Sequence, residues 1–526
     1  METHKVLIAG EWVSAPYSET FQATNPRTRE PIPERYPVSD RSAIERALRA
    51  AEAAFDELRA IPDEQRADFL ERFADRIERR KDEIVAMAAA ETALPSEPRL
   101  AAVELPRTTD QLRQAANAAR NSSWQLPTID TKTNIRSMYS AIGPVCVFGP
   151  NNFPLAFNSV SGGDAAAAWA AGNPVIAKAN SAHPGTTRLL ADEALAAARE
   201  TQIPAGTVQL IYRLDHADGE QLVGHPLIGA TAYTGSRAAG LALKRAADTA
   251  GKPIYLELSS INPVVILPGA FRERAETIAQ EFQSSCLMGT GQFCTNPGLV
   301  ILIAGEETER WIDLVRSRFS GAPVGTLLSA GVEASLGRSI QSLVAAGAYV
   351  LTGGKAGGGV GFSFQNTLLR TTGRAFLDQP QLMQTEAFGN ASLFVVAEGI
   401  EELLAVLSAL EGNLTGTVYS DRGNQDEGLY ERVAFVLRRK VGRLLNDKMP
   451  TGVAVVPAMN HGGPYPATGH PGFTAVGIPA SLRRFAALQC YDNVRESRLP
   501  KLLRNRNLQT RPWRLIDGTW TQADIA

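Results

Sequence analysis

The sequence predicts an α/β fold in which parallel sheets are wrapped by helices, and three observations predict it. From Gly143 onward short apolar runs of strand length recur, each followed by a turn and a helical pattern. The segments between them, Thr186–Glu200 and Arg237–Ala250, are Ala-rich and helix-like. The run of strands then starts again near residue 263, so the alternation fills two successive units.

In chain order, the first ~120 residues read as largely helical. Asp40 caps a helix through Arg59, with Ile44, Leu48, Ala51 and Phe55 at helical spacing. One amphipathic helix is expected from Glu64 to Glu91, carrying Phe69, Leu70, Phe73, Ile77, Ile84 and Val85, and another over Thr108–Ala119, after Pro106. Strands are expected at Val145–Phe148, Val175–Ala177, Val208–Ile211, Ala230–Tyr233 and Ile254–Leu258. This first set has the texture of a nucleotide-binding sheet. The second set comprises Pro263–Leu267, Leu299–Ile303, Ser392–Val396, Gly416–Tyr419 and Arg443–Leu445, with the glycine-rich Gly353–Gly361 as a loop. No repeat of solenoid period is visible.

Composition narrows the function classes. The chain has 526 residues, 44% hydrophobic and 21% charged, which is ordinary globular usage and room for roughly three domain-sized units. Lys+Arg number 53 against 55 Asp+Glu, a balance that argues against a nucleic-acid surface. No apolar run approaches the ~18 residues of a membrane span, and no signal peptide is visible, so a cytoplasmic protein is expected. Four cysteines are too few for a disulfide scaffold, and no CxxC pair suggests zinc; no metal is expected.

The common nucleotide fingerprints are absent. There is no intact GxGxxG, neither Gly-Lys pair precedes Ser or Thr, and no GxSxG occurs. A dinucleotide would have to use the strand ends instead. Lys178 ends one strand, Arg213 follows the next, and Thr234-Gly235-Ser236 joins a third to a helix with Gly240 in its first turn. A glycine there lets a pyrophosphate approach the helix N-terminus. Cys294 lies in a glycine-bounded loop, Gly289 to Gly298, that would expose a thiol, whereas Cys146, Cys286 and Cys490 read as small core residues. All six histidines are remote from Cys294 in sequence, so a Cys–His pair has no local support. Glu257, inside an apolar strand, is the alternative base, since burial raises a carboxyl pKa; a structural ion pair is the competing role.

Set in order, Gly143-Pro144 with Asn151-Asn152-Phe153-Pro154, Pro174 to Lys178, Thr234-Gly235-Ser236, Leu256-Glu257-Leu258, Phe293-Cys294 and Glu386-Ala387-Phe388-Gly389 resemble the aldehyde dehydrogenase superfamily across almost the whole chain. Asn152 to Phe157, Ala182 to Thr186, Gly291 to Gly298 and His461 to Thr468 resemble a narrower branch holding α-ketoglutaric semialdehyde (2,5-dioxopentanoate) dehydrogenases and a long-chain fatty aldehyde dehydrogenase.

The resemblance implies a Rossmann-like cofactor-binding domain (1–122 and 142–258), an α/β catalytic domain (259–479), and an oligomerisation flap and tail (123–141 and 480–526) serving a homodimer or homotetramer. It implies that Cys294 attacks the aldehyde, that Asn152 and the Cys294 N–H hold the oxyanion, and that Glu257 activates water on the thioester. Lys178 and Glu386 would bind cofactor riboses, Ser236 beside Gly235 the pyrophosphate, and Phe388 the nicotinamide end. Ser181, where NAD-preferring relatives often carry Glu, together with Arg213 implies NADP over NAD, with NAD still usable. Arg107 is expected to face the substrate tunnel, with Phe157, Val160, Phe293 and His461 as its walls, which suits a short aldehyde with a remote carboxylate. A fatty aldehyde is the alternative substrate. A CoA-acylating enzyme is disfavoured by Glu257, and a non-enzymatic relative by the presence of both nucleophile and base.

Three departures from the family pattern stand out. Asn151 replaces a common Trp, Ser259-Ser260 a double glycine, and Ala387 and Asn390 flank Phe388-Gly389 where other residues are usual. None removes a reacting atom.

Overall fold

The computed structural model describes residues 3–525; residues 1, 2 and 526, assigned above to the first and last segments, lie outside it. Its first sheet orders the strands Ile254–Glu257, Ala230–Thr234, Val145–Phe148, Val175–Lys178, Val208–Ile211, Val6–Ile8 and Glu11–Val13. The first five are parallel, as the alternation predicts. The last two were not expected, because residues 1–40 read as part of a helical region. Val6–Ile8 pairs antiparallel with Val208–Ile211 through Leu7 and Leu210, and it is wholly buried, which a three-residue apolar run cannot announce by periodicity.

Among the five parallel strands, the chain leaves Val145–Phe148 in one direction for two strands and then returns to its other side. That reversal opens a crevice at the carboxyl ends, between Val145–Phe148 and Ala230–Thr234. The register aligns Phe148 with Lys178 and Tyr233, and Thr234 with Glu257, so those residues share one sheet edge.

The helix Arg41–Leu58 starts where expected, with the Asp40 carboxylate accepting from the Ala43 N–H. The single helix expected over Glu64–Glu91 is instead two, Asp63–Arg79 and Lys81–Thr92. The chain breaks at Arg80, whose guanidinium pairs with Glu83 and reaches Glu193 on the helix Pro184–Glu200. The first piece buries Phe69, Leu70, Phe73 and Ile77; large apolar side chains so buried contribute about 1.5–3 kcal/mol each. The second carries in its last turn Glu91, which is buried and accepts from the Gly185 and Thr186 N–H groups. It thereby satisfies the N-terminus of Pro184–Glu200; burial pushes its carboxyl up to about 7.

A second seven-stranded sheet runs Tyr349–Thr352, Thr367–Thr372, Ala391–Ala397, Leu299–Ile303, Val264–Ile266, Asn413–Tyr419 and Val441–Asn446. It is parallel except at the antiparallel edge strand Tyr349–Thr352. That strand and Thr367–Thr372 are additions to the predicted set. A third sheet of five strands joins Thr128–Asp130 and Ile135–Ala141 to Ala486–Asp492, Arg514–Ile516 and Thr519–Thr521. Cys490 lies on its edge strand and is exposed, which corrects the core reading of that residue. Cys146 and Cys286 are buried as expected. No described helix is long and apolar enough to cross a membrane.

Candidate active site

The loop carrying Cys294 is held from three sides. It leaves the helix Pro268–Leu287 through Gly289, Thr290 and Gly291, all with φ between 55° and 69°. Gly291 is there for space as well: a Cβ would come within 2.0 Å of the Gly389 carbonyl oxygen. The Gln292 carboxamide oxygen accepts from the Leu328 N–H at 2.8 Å. The Asn262 amide donates to the carbonyls of Cys294 and Asn296, both at 2.9 Å. The thiol is recessed rather than exposed. Burial pushes its pKa well up, the charge and hydrogen bonding of Glu257 push it further, and Arg107 opposes them.

His461 lies against that thiol, with Nε2 3.3 Å from Cys294 Sγ and 3.0 Å from Glu257 Oε1. His461, expected in the tunnel wall, thus bridges the Cys294 thiol and the Glu257 carboxylate, and the Cys–His pair that local sequence could not support exists in space. The cause is tertiary. Residues 461–469 run across the end of the strand Ile254–Glu257, where Leu258 N–H donates to the Ala467 carbonyl and Glu257 bridges Thr468. The His461 N–H donates to Thr474 Oγ1, and its carbonyl accepts from Ala475, which fixes the backbone on both sides. The side chains of His461 and Glu257 are 1% and 2% exposed, and Glu257 Oε2 is buried without a hydrogen-bond partner among the described residues.

Asn152 follows the carboxyl end of Val145–Phe148, over the crevice. Its amide donates one N–H to the Gln292 carbonyl at 2.9 Å, two residues before the thiol, leaving the second N–H to point elsewhere. Among the described residues the Cys294 main-chain N–H has no protein acceptor. Beneath the loop, His183 Nε2 sits 2.9 Å from the Pro150 carbonyl, and burial lowers that imidazole to about 4.

Phe153, Phe157 and Phe293 form an aromatic cage, with Phe153 edge-on to both partners at 5.3 Å between centroids. Two arginines lie over it. The Arg107 guanidinium is 5.1 Å from the Phe157 centroid and 5.5 Å from that of Phe153. The side chain is half-buried; its Nε and Nη2 are buried and lack hydrogen-bond partners among the described residues, and desolvation lowers its pKa while the Glu104 charge opposes that. Arg99 lies 4.4 Å over Phe153, pairs with the buried Glu104 and donates to the Asn152 carbonyl at 3.3 Å. Glu104 in turn accepts from the N–H groups of Leu155 and Ala156. Arg99 and Glu104 escaped the sequence reading, because a wide helical turn over Ser96–Glu104 carries no periodic signal. Val160, expected in the wall, is fully buried in the core of the first sheet and not in this cage.

The crevice side holds the remaining candidates. Lys178 ends its strand, and burial, with the Arg213 charge nearby, lowers its ammonium to about 8. Ser181 is half-buried; Arg213 is exposed, with its main chain bridging Val38. Ser236 caps the helix Arg237–Thr249 by position, yet its side chain makes no capping bond, and Thr234 Oγ1 is buried without a hydrogen-bond partner among the described residues. Gly235 donates its N–H to the Glu257 carbonyl. Gly240 packs helix on strand, since a Cβ there would meet Leu258 at 2.4 Å. Glu386 accepts weakly from the Ser260 N–H at 3.4 Å, and burial raises its carboxyl to about 7. Phe388 is half-buried beyond it. Two of the departures have structural partners. Ser260 Oγ contacts the side-chain oxygens of Asn262 and Asn413, and Asn390 donates to the Phe364 carbonyl and the Asn366 side chain.

Comparison with known proteins bears on this arrangement. The chain matches the aldehyde dehydrogenase family over residues 12–452. It is 40% identical to alpha-ketoglutaric semialdehyde dehydrogenase 2 of Azospirillum brasilense, covering 98% of this chain and 99% of that protein. It is 34% identical to an alpha-ketoglutaric semialdehyde dehydrogenase of Acinetobacter baylyi, at the same coverage. A 3,6-anhydro-L-galactose dehydrogenase solved in complex with NADP superposes with a TM-score of 0.80 at 22% identity, covering 93% of this chain and 99% of that one. The match along most of the chain, joined to a crevice that ends on a recessed thiol beside a carboxylate, makes this protein a member of the aldehyde dehydrogenase family.

Proposed function

We propose that the enzyme oxidises a short aldehyde bearing a remote carboxylate, 2,5-dioxopentanoate to 2-oxoglutarate, and that it prefers NADP to NAD. The observation that carries the substrate reading is Arg107, a half-buried side chain over the cage beside Cys294 whose buried Nε and Nη2 have no hydrogen-bond partner among the described residues. Buried guanidinium N–H groups without acceptors are costly, and a substrate carboxylate is a chemically matched partner that the fork grips through two hydrogen bonds. The same grip orients the aldehyde toward the thiol. The two alpha-ketoglutaric semialdehyde dehydrogenases support the same reading.

In this reading Cys294 attacks the aldehyde carbon, with His461 Nε2 placed to take the thiol proton. The free Asn152 N–H and the Cys294 N–H hold the oxyanion. The nicotinamide cofactor, when bound, accepts the hydride. Glu257 then takes a proton from the water that attacks the thioester, releasing the acid. The crevice suits the cofactor: the Ser236 hydroxyl, which makes no capping bond, and the first N–H groups of Arg237–Thr249 would hold the pyrophosphate, while Lys178 and Glu386 would hold the riboses and Phe388 the nicotinamide end. Segments 1–122 with 142–258, 259–479, and 123–141 with 480–526 act as cofactor-binding, catalytic and oligomerisation parts of a cytoplasmic homo-oligomer. The separate sheets support that division, as does Leu488, 62% exposed on an edge strand.

Arg107→Ala is expected to raise KM for 2,5-dioxopentanoate by about 10- to 100-fold, the scale of a hydrogen bond to a charged group. KM for an uncharged aldehyde of equal length should change little. Wild-type kcat/KM favouring decanal over 2,5-dioxopentanoate would instead mean a lipid-directed tunnel. For the cofactor, the Ser181 hydroxyl and the exposed Arg213 are suited to a 2′-phosphate, and no carboxylate stands at 181 to repel it. The kcat/KM ratio should favour NADP and collapse toward NAD in Arg213→Ala; a wild-type NAD preference refutes the claim.

A further inference from the structure

The contact between His461 and the two reacting side chains has a second chemical meaning. A thiol, an imidazole and a carboxylate each offer one ligand atom, and all three atoms lie within 4.8 Å of one another. Zinc bond lengths of about 2.3 Å to sulfur and about 2.0–2.2 Å to nitrogen or oxygen place tetrahedral ligand pairs roughly 3.4–3.6 Å apart. Here Sγ to Nε2 is 3.3 Å and Nε2 to Oε1 is 3.0 Å, so those two pairs reach zinc spacing with shifts of a few tenths of an ångström, and the carboxylate, within 4.8 Å of the sulfur, closes the third side. The ligand backbones are held beforehand: Asn262 fixes the Cys294 carbonyl, and Thr474 and Ala475 fix His461.

A separate observation points to a ligand. Glu257 Oε2 is buried, without a partner among the described residues, on a side chain only 2% exposed. A carboxylate oxygen so placed is unsatisfied until a cation or a donor reaches it.

We propose that Cys294, His461 and Glu257 form a three-ligand site for Zn²⁺ that reversibly silences the enzyme. Binding forms a Zn–S bond as the thiol releases its proton to solvent, and adds bonds to the neutral imidazole and to the carboxylate. The two anionic ligands neutralise the dication, so the site stays uncharged beside Arg107. The thiolate selects zinc over Mg²⁺ and Ca²⁺, which take oxygen ligands. A bound ion withdraws the nucleophile's lone pair and the base's carboxylate together, and a chelator restores both.

That silencing rests on the catalytic roles proposed above; ion binding does not, and the experiment separates them. Metal-stripped enzyme is titrated with Co²⁺ as a spectroscopic probe, and Zn²⁺ is then used to displace it. One equivalent of Co²⁺ should give a thiolate-to-cobalt charge-transfer band and tetrahedral visible bands, lost in Cys294→Ser and kept in Cys490→Ser. His461→Ala should weaken Zn²⁺ binding by about 100-fold or more, beyond the 10- to 100-fold typical of losing a residue that only supports a ligand. Thermal unfolding and nicotinamide-cofactor binding of each variant establish that it is folded. Absence of the band at one equivalent, its survival in Cys294→Ser, or unchanged Zn²⁺ affinity in His461→Ala overturns the site. If Zn²⁺ binds as described and activity persists, the site stands and the roles of Cys294 and Glu257 fall instead.

Discussion

Cys294→Ala is expected to remove aldehyde oxidation, with kcat falling by on the order of 10⁶, the scale seen when a covalent nucleophile is deleted. No other sulfur can stand in. Cys146 and Cys286 are buried, one in a strand of the first sheet and one in the helix before the loop, and Cys490 is exposed on the edge of the third sheet. Glu257→Gln divides the reaction differently. The amide leaves thiol attack and hydride transfer possible but cannot take a proton from water, so one equivalent of reduced cofactor should form in a burst before turnover stalls. Stopped-flow absorbance measures both phases. Steady-state oxidation by Cys294→Ala at the wild-type rate, or a Glu257→Gln enzyme with no burst and normal turnover, would remove the residue concerned from its role.

Asn152→Ala should lower kcat by about 10²–10³, the usual loss when one oxyanion donor goes. The amide also donates one N–H to the Gln292 carbonyl, two residues before Cys294, so either substitution loosens that loop as well. Asn152→Asp keeps the shape, but its carboxylate would oppose the oxyanion, so it should be at least as damaging as Ala. If kcat in both variants stays within a factor of a few of wild type, the oxyanion lies elsewhere.

Much of the architecture was legible because its signals are local. Each parallel strand of the first sheet is an apolar run closed by a turn, and the Asp40 cap announces the first helix. Elements without a local period were missed. Val6–Ile8 is a short buried run and Thr367–Thr372 a mostly buried one, and their strand character comes from the neighbours they pair with. The break at Arg80 leaves no local signal because the apolar spacing continues past it; the Arg80 guanidinium there pairs with Glu193, 113 residues away.

The chemistry divides along the same line. Residue type and local setting single out Cys294 in a glycine-bounded loop, Glu257 at the end of an apolar strand, and Lys178 and Ser236 at strand ends; these can be read because each depends on its own few neighbours. Only the tertiary structure brings His461 within reach of both Cys294 and Glu257, turns Cys490 to solvent, moves Val160 into the core and lays Arg99 over Phe153. Those outcomes depend on where one segment crosses the end of another, as residues 461–469 cross the strand Ile254–Glu257. Contacts between residues 167 and 204 positions apart leave no periodicity behind, because they are selected by the packing of whole sheets.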